Sequence, residues 1–411
     1  MPSRRRWLMI ALVFLATVIN YLDRQTLSVV APILREEFHM SNVTYSRVVS
    51  AFMLAYTISN GFSGTIIDKL GTRAGYALCI AWWSVAAILH AFATSAWSLG
   101  AARFLLGLGE AGNWPAGVKV VSEWFPERER ALAAGMFNSG SSFGAILAPP
   151  VVAFITLQFG WAAAFAGVGA TGLVWLVFWL NTYHTPDEQR EPGTPAVAAA
   201  PHPEVPAPWV LFRAPFVRNF MLSKIFLDPV WYFYIFWFPE YLKNARHFDL
   251  AAIGKYAWIP FVVAGLGNIA GGALSGVLLR RGWSVTLARK TAITVFTLLM
   301  LAAIPAVLAP DVRVSIAFVS IAMVGYTGAL ANTLAFPADV FPRHLVGSVW
   351  GLASMGAGLG GMIFALVTGW VVDHYSYVPV FFGFGFLPLI SALIMWTMLG
   401  PLTPESYKPA R

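Results

Sequence analysis

Charged side chains in the middle of long apolar runs are the residues of this chain that invite chemistry. Asp23 and Arg24 stand side by side in "NYLDR" (20–24), inside a run that begins near Trp7 and continues past Val30. Arg103 and Glu110 bracket "RFLLGLGE" in a second run, and Lys224 and Asp228 lie in a third, "SKIFLDPVWYFYIFWFPEYL". An Arg, Lys or Asp at the centre of a membrane helix costs about 2.5–3.5 kcal/mol on insertion scales, so such residues pair, face a cavity or mark a pathway. A guanidinium offers a planar fork that matches a carboxylate. A carboxyl group set between burial and nearby cations can exchange a proton as its surroundings change. The chemistry these residue types suit is binding of an anion and carriage of a proton.

The elements that must hold them are membrane helices. The chain has 411 residues, 58% hydrophobic and 11% charged, against roughly 25% charged in soluble domains. A span needs about 20 apolar residues. Twelve such runs occur, at 7–31, 44–67, 75–95, 98–122, 131–156, 161–181, 214–241, 252–279, 287–309, 313–336, 346–372 and 377–400. Each is longer than a barrel strand and none alternates polar with apolar, so the expected fold is all-α, not a β-barrel. "RRR" at 4–6 precedes a run too long for a signal-peptide core, which reads as an uncleaved first helix. The single Cys79 allows no disulfide within the chain.

Lysine and arginine set the orientation. Seventeen fall on the side of both termini and six on the other, so the termini are expected in the cytoplasm. The net charge of +8 then rings one membrane face, and nucleic-acid binding is set aside. A Pro- and Ala-rich stretch, 182–213, separates spans six and seven and reads as a cytoplasmic linker. The expected organisation is a six-helix half at 1–181, the linker, and a six-helix half at 214–411, as in transporters whose halves rock against one another around a central cavity. A weak echo supports it: "GTIIDKLGTR" (64–73) follows span two and "SGVLLRRGWSVTLARK" (275–290) follows span eight.

Within the spans, Arg103 and Glu110 lie seven residues apart, about two turns and about 10 Å along one face. The glycines Gly107, Gly109 and Gly112 fit G-x-G-x-x-G, but a dinucleotide fingerprint needs a strand and a βαβ unit, so close helix packing is the better reading. Lys224 and Asp228 are i and i+4 and able to pair. Pro229 and Pro239 interrupt span seven, a break tolerated where a helix borders a cavity. The seven histidines are scattered with no metal-ligand spacing, which argues against an enzyme.

Several motifs carry a resemblance. Gly64, Asp68, Lys69, Gly71 and Arg73 resemble the loop after span two of the major facilitator superfamily, which implies a conformational latch formed by Gly64, Asp68, Gly71 and Arg73. "NYLDR", "RFLLGLGEAGNWPA" and "FNSGSSFGAILAPP" (137–150) resemble the anion–cation symporter family, and most nearly its bacterial hexuronate transporters. The resemblance implies uptake of a sugar acid such as glucuronate or galacturonate with protons across the bacterial inner membrane. It implies proton binding at Asp23 and Glu110 and a basic residue at Lys224; Arg103 is expected to stabilise the charged forms of the two carboxyl groups.

Arg24 is the expected anion ligand, with Lys224 as a second cation from the other half. Tyr21, Tyr56, Asn138, Ser141, Asp228, Trp231, Tyr232, Asn332, Thr333 and Ser354 are expected to meet sugar hydroxyls or a sugar face. Asp23 is expected to face span four, near Arg103 and Glu110, while Arg24 faces the anion. No cofactor is expected beyond the coupling proton, no nucleic-acid partner, and a monomer in the bilayer. Another organic anion (galactonate, glucarate or a different carboxylate) and a non-transporting sugar-acid sensor on the same fold are the alternatives.

Overall fold

A backbone in hydrocarbon must satisfy its own N–H and C=O groups, which favours helices throughout. The computed structural model describes residues 3–125, 127–184, 208–342 and 345–403, and among them no strand occurs. The helices are α1 (Ser3–Glu37), α2 (Asn42–Asn60), α3 (Ser63–Leu89), α4 (Ala96–Glu110), α5 (Asn113–Trp124), α6 (Glu127–Phe159), α7 (Trp161–Thr182), α8 (Pro208–Phe212) and α9 (Pro215–Leu227). They continue as α10 (Pro229–Arg246), α11 (Leu250–Tyr256), α12 (Ile259–Arg280), α13 (Val285–Leu299), α14 (Ala303–Leu308), α15 (Val312–Thr333), α16 (Phe336–Val340), α17 (Val346–His374) and α18 (Tyr377–Thr397). Most of the expected linker lies outside the described residues.

Nine helices among the described residues are long and apolar enough to cross a membrane. The expected spans outside that set are the second, fourth and seventh. α2 carries Ser46, Ser50, Thr57 and Ser59. Spans four and seven are each split in two, α4 stopping at Glu110 and α9 at Leu227 just before Asp228. Acidic residues thus sit at both breaks, where polar groups interrupt the apolar run.

The chain forms two compact units, Met1–Ala199 with Phe238–Trp258, and Ala200–Trp237 with Ile259–Arg411. In the first, α1 packs on α6, α2 on α4 and α3 on α7. The second repeats the scheme, with α9 on α17, α12 on α15, and α13 and α14 on α18. Glycine makes these approaches possible. A Cβ on Gly140 or Gly144 of α6 would lie 2.6 Å from the Phe14 or Val18 carbonyl oxygen of α1. Gly356 and Gly360 of α17 seat in the same way on the carbonyls of Met221 and Ile225 in α9. A hydrogen-bonded chain pins the first unit, Tyr76 donating to Asn113 Oδ1 at 2.7 Å and Asn113 donating to Thr17 Oγ1 at 3.1 Å. Residues 238–258 join that unit through ion pairs of Glu240 with Arg35 and of Lys243 with Glu36.

Candidate functional site

The break after α4 presents Glu110 to α1. Arg24 donates from Nε and Nη2 to Glu110 Oε2, at 3.0 and 2.8 Å, and the two side chains are 2% and 0% exposed. Arg24 Nη2 also reaches Asn20 Oδ1 at 3.4 Å. Tyr21, Tyr56 and Phe52 surround the guanidinium, their ring centres 4.9, 4.8 and 5.2 Å from Cζ. Arg103 also lies over Phe52 and donates from Nη2 to the backbone carbonyl of Arg24 at 2.7 Å. Arg103 therefore fixes the turn that carries Arg24. Asp23 is buried, and neither of its carboxyl oxygens has a hydrogen-bond partner among the described residues. The charges of Glu110 and Arg103 act on it. Arg24, the expected anion ligand, here holds Glu110, the carboxylate expected to lie with Asp23 and Arg103. Adjacent helical residues point about 100° apart, but a long guanidinium spans that angle to the neighbouring helix.

The second unit carries a different cluster. Lys224 Nζ lies 2.7 Å from Asp228 Oδ2, as the i, i+4 spacing predicts, and both are buried. Tyr326 of α15 donates to Asp228 Oδ1 at 2.8 Å. Trp231 stacks on Tyr326 with ring centres 5.4 Å apart and planes 16° apart, and meets Phe261 edge-on. Trp350 places its ring 4.5 Å from Lys224 Nζ. Trp350 escapes sequence reasoning, since nothing separates it from the other aromatics of an aromatic-rich chain.

The internal repeat would have found Tyr326. Val18 and Ile225 hold equivalent glycine seats, as do Phe14 and Met221, and each pair is 207 positions apart. Gly109 meets the Trp83 backbone nitrogen as Gly325 meets that of Met300, and Gly112 meets Cys79 as Gly328 meets Phe296. Both glycine pairs are 216 positions apart. These offsets carry Arg24 onto Trp231 and Glu110 onto Tyr326, and "GEAG" (109–112) onto "GYTG" (325–328). The buried ion pair of one unit thus stands where the other has a stacked aromatic pair.

The other expected residues divide. The Ser141 hydroxyl donates to the Asn138 carbonyl at 2.7 Å, and the Asn138 side chain is exposed. Tyr232 is half-buried on α10 beside Trp231, and Ser354 is half-buried on α17. Asn332 is committed to packing: its amide donates to the carbonyls of Gly271 and Gly328, at 3.0 and 3.1 Å, across α12 and α15. The Thr333 hydroxyl is spent on the Leu330 carbonyl of its own helix at 2.9 Å. In the loop after span two, Gly71 takes φ +78°, where glycine alone is unstrained, and Gly64 faces Pro115. Arg73 donates to the Leu180 carbonyl at 2.5 Å. The Asp68 side chain lies outside the described residues. Nearby, Glu123 accepts from Thr72 at 2.6 Å and from Tyr183, and Arg289 pairs with Asp339 at 3.3 Å at the matching place in the second unit.

Two units that repeat one helix-packing scheme, each with a buried ion pair at a helix break, fit a multi-pass membrane transporter. The chain matches the sequence model of the Major Facilitator Superfamily over residues 13–302 and 282–411. It is 34% identical over 405 residues to the hexuronate transporter of Escherichia coli strain K12, covering 96% of this chain and 94% of that protein. It is 36% identical over 308 residues to the galacturonate transporter of Dickeya chrysanthemi, covering 72% and 89%. Its fold matches the crystal structure of a bacterial homolog of the human lysosomal transporter Spinster, inward-facing and occupied, with TM-score 0.77, 18% identity and full coverage of both chains. The chain belongs to the Major Facilitator Superfamily.

Proposed function

We propose that the chain imports an anionic sugar acid, a hexuronate such as glucuronate or galacturonate, by proton symport with alternating access. The observation that carries the reading is the buried Arg24–Glu110 pair beside Asp23, whose carboxyl oxygens lack hydrogen-bond partners among the described residues. Relatives at 34% and 36% identity named for hexuronate and galacturonate support the cargo class.

Arg24 is the cation for the cargo carboxylate, and Glu110 is its internal competitor. A proton on Glu110 removes the charge that holds Arg24, and the guanidinium then takes the anion in the same two-nitrogen geometry. Asp23 is the second proton-carrying group, and Arg103 keeps the Arg24 backbone in place throughout. The residues around Gly64, Asp68, Gly71 and Arg73 act as a conformational latch. The basic bias of one set of loops supports an inner-membrane protein with cytoplasmic termini.

The test is uptake of labelled glucuronate and galacturonate into liposomes holding the purified protein. Accumulation under an inward proton gradient that ends when the gradient is collapsed supports the reading. Accumulation indifferent to the gradient sinks the proton half of it, and absence of uptake sinks all of it.

A further inference from the structure

We propose that Asp228 restricts this carrier to sugar acids with one carboxylate, excluding the dicarboxylate aldarates. The proposal rests on the reading of the chain as a sugar-acid carrier and concerns what the second unit contributes to recognition.

The charges decide the matter. In the second unit the buried lysine is already neutralised, with Lys224 Nζ 2.7 Å from Asp228 Oδ2, and the other Asp228 oxygen accepts from Tyr326 at 2.8 Å. The Lys224–Asp228 pair sums to zero. A carboxylate arriving there would meet the Asp228 carboxylate beside the only lysine of the cluster. Like charges without a compensating cation are costly in a water-poor interior. What the cluster offers instead is neutral: the Tyr326 hydroxyl, the Trp231 ring stacked on it, and the Trp350 face over Lys224. Aromatic faces and hydroxyl-bonding groups suit the C–H face and hydroxyls of a sugar. The repeat sharpens the contrast, since Trp231 and Tyr326 occupy the positions that Arg24 and Glu110 hold in the first unit.

The first unit completes the balance. Arg24 and Arg103 are set against Glu110 and Asp23, so the proton on Glu110 that frees Arg24 leaves one net positive charge among these four groups while Asp23 stays ionised. One cargo carboxylate cancels it, whereas a second would remain uncompensated. Uronates and aldonates carry one carboxylate, and galactarate and glucarate carry two.

The experiment is competition against labelled glucuronate uptake by the full-length protein in liposomes, using galacturonate, galactonate, galactarate and glucarate as competitors. The expected result is competition by the two monocarboxylates, with the aldarates weaker by on the order of 100-fold. Asp228→Asn frees the Lys224 charge and should raise the affinity for glucarate relative to glucuronate by roughly tenfold or more. That ratio does not depend on how much of the variant folds, and Tyr326→Phe, which removes one hydroxyl, should leave the preference for one carboxylate intact. Glucuronate uptake with equal competition by glucarate overturns this proposal while leaving the sugar-acid reading standing. An Asp228→Asn variant that weakens both cargoes in proportion overturns it too. Absence of uptake of any sugar acid overturns both.

Discussion

Glu110→Gln removes one charge from the first unit and little else. The side chain keeps its length and one carbonyl oxygen, so Arg24 retains an acceptor at the place where Glu110 Oε2 now takes two hydrogen bonds, at 3.0 and 2.8 Å. Hydrogen bonds to charged groups contribute about 1.5–3 kcal/mol each and neutral ones about 0.5–1.5 kcal/mol. Two bonds passing from the first kind to the second release about 2–3 kcal/mol of hold on Arg24. If Glu110 competes with the cargo for that guanidinium, this energy returns to the cargo. At 1.4 kcal/mol per tenfold, glucuronate should bind the variant roughly 30- to 100-fold more tightly at a pH where Glu110 is ionised. Binding should also lose most of its pH dependence, because the proton no longer has to displace Glu110. Calorimetric titration of purified protein with glucuronate at acidic and alkaline pH reads both effects. Counterflow in liposomes should survive while proton-driven accumulation disappears. Weaker binding with the wild-type pH dependence would refute the competition argument, and loss of both binding and counterflow would make Glu110 a ligand or a structural anchor.

Other substitutions divide the remaining roles. Asp23→Asn should leave glucuronate binding within about threefold of wild type and abolish accumulation against a gradient, separating its proton role from the binding role of Arg24. Arg24→Lys should lose at least about tenfold in affinity although the charge is kept, since a point charge cannot repeat the two-nitrogen geometry; equal affinity would deny Arg24 the anion. Asn332→Ala removes the hydrogen bond that ties α15 to Gly271 of α12 and a second one to Gly328 of its own helix. It should destabilise the protein by about 1–3 kcal/mol, read as a lower Tm, with the KM for uptake unchanged. Gly144→Ala puts a Cβ 2.6 Å from the Val18 carbonyl, so it should cost about 1–3 kcal/mol in thermal unfolding and reduce the folded yield.

Much of the architecture is legible in the chain because hydrocarbon imposes a simple rule. Twelve apolar runs, a charge-biased set of loops and a proline-rich interruption announce a helical membrane protein without any alignment. Asp23, Arg24, Arg103, Glu110, Lys224 and Asp228 stand out for the same reason, as charges where charge is costly. The Lys224–Asp228 pair follows from spacing alone, because both partners lie on one helix.

Partners on different helices were harder to read. That Arg24 takes Glu110, 86 residues away, depends on how α1 and α4 are rotated and on the seat that Gly107 gives α4 against the Phe52 carbonyl. Tyr326 carries no charge, so the cost argument passes over it, and only its place in the repeat marks it. Asn332 shows the converse. A polar side chain at depth looks like a ligand group, yet its amide satisfies two helix carbonyls and holds two helices together.

The coupling claim is tested most directly by recording proton and cargo movement in the same liposomes. With no imposed gradient, glucuronate is added outside liposomes that hold the full-length protein, while a pH indicator follows the external medium. Symport through the Arg24–Glu110–Asp23 cluster predicts that the medium turns alkaline as glucuronate enters, and that Arg24→Ala removes both signals together. Glucuronate entry with no alkalinisation would contradict it.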